Sequence, residues 1–180
     1  MIPADQLGIW TLIHTAQIPL AALLGVSVLL LLDGVDGFEA RAARLAVVPW
    51  IAAFAAFDGL AGLATGALSE YAFANPDATV VLLDAARFLT DSPVVAAGLP
   101  LMALAFGLVA FGGAGIALHS NHLGTAPAIA LGAGGVAWTF IHPLVGAPAM
   151  ALFAFGAFMA ERRSAGRSTA RLVAASDVPA

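Results

Sequence analysis

The sequence predicts an all-α membrane protein, a bundle of five transmembrane helices with a short amphipathic helix between the second and third. Three observations predict it. The first is composition: of 180 residues, 61% are hydrophobic and 10% charged, with a mean hydropathy of +0.97, whereas a soluble domain carries roughly 25% charged residues. Seven Arg and eleven Asp or Glu cannot cover the surface of a water-soluble chain without leaving apolar patches far above the few hundred Å² that monomers tolerate. The second is the presence of apolar runs matched to the roughly 20 residues that cross a bilayer. The third is the uneven placement of arginine along the chain.

The first run, 7–32, is uninterrupted by charge. Residues 1–6 carry Asp5 and no cation, so the positive start of a cleavable signal is missing and this run is expected to remain in the mature protein. The second span is read as 45–68, beginning after the charged stretch that holds Glu39, Arg41 and Arg44. Between spans two and three, Asn75-Pro76 reads as a helix cap followed by proline in the first turn. From there an interfacial helix is expected over 76–90. Asp77, Asp84, Arg87 and Asp91 share one face of it, and Val81, Ala85, Phe88 and Leu89 the other. The bland reading of this helix is a connector running along lipid; the functional one is a lid. The third span is 94–118. The last apolar stretch, 127–160, would measure about 51 Å as one helix, and Ile141-His142-Pro143 interrupts it. It is therefore read as two spans, 124–141 and 144–160, with a re-entrant hairpin over 127–160 as the alternative. Residues 1–163 form a single transmembrane domain and 164–180 a flexible cytoplasmic tail.

Cytoplasmic loops collect arginine. With five spans and the N-terminus outside, Arg41, Arg44, Arg162, Arg163, Arg167 and Arg171 fall inside and only Arg87 outside. Four spans divide the arginines less sharply. Trp10, Trp50, Tyr71 and Trp138 then lie near span ends, where amphipathic rings favour the interface. Arg without Lys, in an Ala- and Gly-rich chain, suggests a GC-rich bacterial genome, and hence the inner or plasma membrane.

An ionisable group inside a span costs about 3 kcal/mol at the bilayer centre on insertion scales, so each such group is a functional candidate. His14 and Gln17 stand in span one and Asp58 in span two. Thr11, His14, Gln17, Ala21 and Gly25 recur at helical steps, and Ala55, Gly59, Gly62 and Gly66 make a small-residue stripe bordered by Asp58. Counting 1.5 Å per residue from the outer ends puts His14, Gln17 and Asp58 at depths that agree within about 5 Å. The expectation is a hydrogen bond from Asp58 to Gln17 or His14 across antiparallel helices. Three roles compete for that cluster: a structural clasp between spans, a proton or cation path, and a catalytic or metal site.

The remaining histidines say less. His119 and His122 read as solvated loop residues, and His142 as a cap of the broken helix or a contributor to the outer mouth of the polar path. A haem bridging His14 and His142 is disfavoured because His142 lies too close to the surface, and no cofactor is expected. The chain has no Cys, which removes thiolate metal sites and cysteine nucleophiles. It also lacks a nucleophile elbow, a paired-histidine zinc helix and a phosphate-binding glycine loop. Net charge −4 argues against nucleic acid. The partners expected are the lipid bilayer and, through small-residue helix faces, a second copy or a larger membrane complex. The reading is a non-enzymatic membrane subunit or binding module. A small transporter using the Asp/His/Gln cluster comes second, and an intramembrane enzyme or a haem- or metal-binding protein third.

Overall fold

The computed structural model describes residues 2–120 together with 128, 131, 132, 151, 152, 155, 156 and 159. Apart from those isolated positions, the predicted spans 124–141 and 144–160 lie outside the described residues, as do His122, Trp138, His142 and the tail. Among the described residues the structure is all-helical. Helix α1 (Leu7–Leu31) follows a 3₁₀ turn at Ala4–Gln6. Helix α2 (Phe38–Ala74) is followed by α3 (Thr79–Asp91) and α4 (Val94–Ser120). Helices α1, α2 and α4 are each long and apolar enough to cross a membrane, so this is a membrane protein in its architecture.

Helix α2 overruns its expected span at both ends, because the charged residues Glu39 to Arg44 are helical rather than loop. A helix satisfies its own backbone in headgroup or water as well as in lipid, so the charges marked the edge of the apolar run and not the edge of the helix. At its far end, Asn75 does not cap the next helix. Its Nδ2 donates to Tyr71 O at 2.8 Å and so closes the end of α2, while Pro76 opens a 3₁₀ turn, Pro76–Ala78. Thr79 Oγ1 reaches back to Ala72 O at 2.8 Å, tying the start of α3 to the end of α2.

The chain divides into two compact units, Met1–Ser27 with Ala46–Phe106, and Val28–Leu45 with Gly107–Ala180. In the first, α1 buries Leu7, Gln17, Ala21 and Leu24. With His14 these follow the alternating three- and four-residue steps of a helix packing along a partner. The partner is antiparallel α2, since Trp10 meets Gly62 and Gly66, His14 meets Asp58, and Gly25 meets Val47 and Ile51. Helix α3 lies against the end of α2 and buries Ala86. It therefore shows three faces rather than two. One packs on protein, one carries the Asp84–Arg87 pair at 3.7 Å, and one leaves Val80, Val81 and Phe88 exposed. The turn into α4 is Ser92-Pro93. Ser92, in extended backbone, accepts from Val95 N at 3.3 Å, and proline occupies the first helical position.

In the second unit, α1 ends in a turn in which Gly34 and Gly37 adopt φ of 68° and 130°, conformations that a side chain strains. Arg44 holds this turn by donating from Nη2 to Leu32 O and to Val35 O. A cation on the orphan carbonyls of a helix C-terminus is favoured by hydrogen bonding and by the helix dipole. Farther along, Gly113 lies against Ala43 and the Glu39 carbonyl, and Gly115 against the Ala128 carbonyl, so small residues here admit close backbone approach.

Two arginines of the same helical turn region separate structural from general charge effects. Arg44→Ala is expected to lower stability by about 1.5–3 kcal/mol, the range for hydrogen bonds to a charged group. Arg41→Ala, at an exposed position, is expected to stay within about 0.5 kcal/mol. Thermal unfolding followed by circular dichroism in detergent reads both, and equal effects would remove the clamp from the account.

Candidate functional site

The site is built by α1 and α2 within the first unit. Asp58 is 1% exposed, and its Oδ1 lies 2.6 Å from His14 Nδ1. With the proton on Nδ1 the imidazole donates to the carboxylate, so the pair meets across antiparallel helices at the level counted from the sequence. Gln17, one turn along α1 from His14 on the same face, is buried as well. Its Oε1 and the second carboxylate oxygen, Asp58 Oδ2, are buried acceptors with no donor among the described residues. Of the four residues the sequence nominated, the structure thus brings His14 and Asp58 into contact, buries Gln17 beside them, and leaves His142 outside the described residues.

Asp58 is also where α2 changes its winding. Residues Asp58–Ala64 form a π-helical stretch, a geometry that occurs mostly as single-turn bulges and frequently at functional sites. Widening the helix changes its carbonyl ladder, and side chains add donors to it. Thr65 Oγ1 donates to Leu60 O at 3.1 Å, and Trp10 Nε1 donates to Gly62 O at 2.9 Å. Two shorter π turns, Val94–Gly98 and Leu108–Gly112, lie in α4, but neither carries an ionisable residue.

The small-residue stripe on α2 is used selectively. A Cβ at Gly62 would collide with the His14 imidazole, and one at Gly66 would come within 3.0 Å of the Trp10 ring. Among the described residues Gly59 has nothing within 4 Å, so it does not belong to the stripe that α1 packs on. The physical reason is the π stretch, which rotates the residues after Asp58 away from the steps of a regular α-helix. Thr11 likewise falls on the exposed side of α1.

Two tryptophans read from the sequence as lying near span ends also pack within the protein. Trp10, assigned to the membrane interface, is half-buried, its ring centroid 4.4 Å from that of His14 with the planes tilted by 47°. Trp50, also assigned to the interface, is fully buried beside Phe54. Depth in a span governs the aromatic belt, but the helix face matters as well: Trp10 sits on the face that α1 turns to Gly62 and Gly66 of α2, and Trp50 is enclosed by protein. The signal that could have found Trp10 was its four-residue step to His14. His119 is exposed in the last turn of α4, and His122 lies outside the described residues. Among the described residues, no group of three or more His, Asp or Glu is placed to hold a metal ion.

The glycines provide a paired test. Gly62→Ala pushes a methyl into the imidazole and is expected to cost about 1–3 kcal/mol, the usual range for overpacking. Gly59→Ala meets open space and is expected to be neutral or to gain up to about 1 kcal/mol from helix propensity. Thermal denaturation in detergent ranks them, and a larger loss at Gly59 would contradict the packing described. No family model matches the chain, and no curated protein or solved structure matches it.

Proposed function

We propose that this chain is a small multi-pass protein of a bacterial cell membrane that works as a binding module, not as an enzyme. In this reading the His14–Gln17–Asp58 cluster accepts a hydrogen-bond donor or a small cation. The observation that carries it is the pair of buried acceptors, Gln17 Oε1 and Asp58 Oδ2, that no protein donor reaches among the described residues. A clasp whose only task is to join two helices has no use for them, since each unmet buried acceptor costs about 1–3 kcal/mol. A donor from outside the protein removes that cost and turns the pair into a site.

The five-span topology, with the N-terminus outside and the C-terminus in the cytoplasm, belongs to the same proposal and rests on the arginine distribution. So does association with a second copy or a larger complex. That association would use surfaces other than Gly25, Gly62, Gly66, Gly113 and Gly115, which face the protein's own side chains or backbone.

A transporter of protons or small cations is the second reading. It is favoured by the π-helical stretch beginning at Asp58, because irregular backbone at membrane depth is tolerated where it is enclosed by protein or lines a path. Among the described residues no observation favours the enzyme, haem or metal readings.

Binding and transport separate in two measurements on the purified full chain. Sodium, potassium and ammonium chlorides are compared for their effect on the unfolding temperature of wild type and Asp58→Asn. A ligand at 100 times its Kd adds about 2.7 kcal/mol, and the binding proposal expects such a gain in wild type and its loss in Asp58→Asn. No gain with any of the three overturns it. Flux of the stabilising ion into proteoliposomes, abolished by Asp58→Asn, would replace binding with transport.

A further inference from the structure

A cavity of about 210 Å³ lies beneath α3, apart from the His14–Asp58 contact. Ile2, Ala61, Leu83 and Ala86 supply apolar wall, Trp10 closes one side, and Arg87 stands on its lining. Three hydroxyl residues also face it, yet all three spend their protons within their own helices. Thr65 donates to Leu60 O, Ser69 to Thr65 O at 2.8 Å, and Thr90 to the Ala86 and Arg87 carbonyls. Among the described residues these hydroxyls leave no unmet donor on the wall, which suits an apolar occupant.

The exception is Arg87. Its guanidinium is two-thirds exposed and only loosely held, 3.7 Å from an equally exposed Asp84, so it is available to an anion at the cavity mouth. The same helix leaves Val80, Val81 and Phe88 exposed, which on a membrane protein places lipid next to the opening. Size narrows the occupant further. At roughly 30 Å³ per water-sized group, the cavity holds about seven such groups, below the roughly 300 Å³ at which whole drug-sized ligands are enclosed. That is room for a segment of a chain whose remainder stays in the bilayer.

We infer that this cavity is a lipid site: it takes part of one acyl chain of an anionic phospholipid, whose headgroup Arg87 holds at the rim of α3. Carboxylate and phosphate are both matched by guanidinium geometry, but the open, lipid-facing mouth commits the occupant to a bilayer lipid rather than a free fatty acid. The inference does not rest on the ligand proposed at Asp58: the two sites share only Trp10 as a neighbour, and the variants below keep His14, Gln17 and Asp58 in place.

The test uses the full chain reconstituted in bilayers of equal phosphatidylglycerol and phosphatidylcholine, then gently solubilised for native mass spectrometry. One retained phosphatidylglycerol per chain is expected in wild type. Arg87→Gln, at an exposed position that folding does not depend on, is expected to reduce the preference for phosphatidylglycerol about fivefold, the effect of one cation near an anionic surface. Ala61→Phe, which fills the cavity, is expected to lose the retained lipid with helical content unchanged. Equal retention of both lipids by wild type, or an unchanged preference in Arg87→Gln, overturns the inference. So does displacement of the lipid by added dodecanoate at equal concentration, which would make a free fatty acid the occupant.

Discussion

A carboxylate taken out of water inside an apolar helix must find a partner, and the contact between Asp58 and His14 is the constraint around which the first unit is arranged. Removing a carboxylate from water costs several kcal/mol, and only a well-placed partner recovers it. The imidazole can reach Asp58 because Gly62, one turn along, has no side chain in its way. Trp10 then lies over the imidazole and bonds the Gly62 carbonyl, which requires Gly66 to be small in turn. The register of α1 against α2 follows from these contacts, and the buried steps of Gln17, Ala21 and Leu24 extend the same seam.

What could be read from the sequence was what lipid penalises. His14, Gln17 and Asp58 were visible because polar groups are rare and costly in apolar runs, and their common depth followed from the rise of a helix alone. The short amphipathic helix was visible from its charge spacing. What escaped was whatever depended on the helix face or on a departure from regular winding. Gly59 was assigned to the seam because a regular α-helix would put it there, and nothing in the residues Asp58-Gly59-Leu60 announces a π stretch. Trp10 and Trp50 were assigned by depth, which says nothing of the face each presents: Trp10 packs in the seam between α1 and α2, and Trp50 is buried beside Phe54. The third face of α3, which packs on protein, was hidden because Leu82, Leu83 and Ala86 are as apolar as the residues turned to lipid. Arg44 was counted as a topological charge, and its bonds to the Leu32 and Val35 carbonyls depend on a turn that only the fold reveals.

Trp10 is common to the polar cluster and the apolar cavity: it tilts against the His14 ring and also lines the space beneath α3. One rigid side chain thus lies between a site with two acceptors unmet among the described residues and a cavity whose hydroxyls donate within their own helices. The two differ in chemistry: the first holds buried polar atoms, and the second is walled mostly by apolar side chains with Arg87 on its lining.

The most direct measurement of the central contact is solid-state NMR of the full chain in bilayers, with ¹⁵N in histidine and ¹³C in aspartate. Dipolar recoupling between His14 Nδ1 and the Asp58 carboxyl carbon should show a separation below about 4 Å, as a hydrogen bond across the α1–α2 seam requires. Absence of transfer, placing the two beyond about 6 Å in the bilayer, would contradict the contact on which the register, the glycine placements and the proposed site all rest.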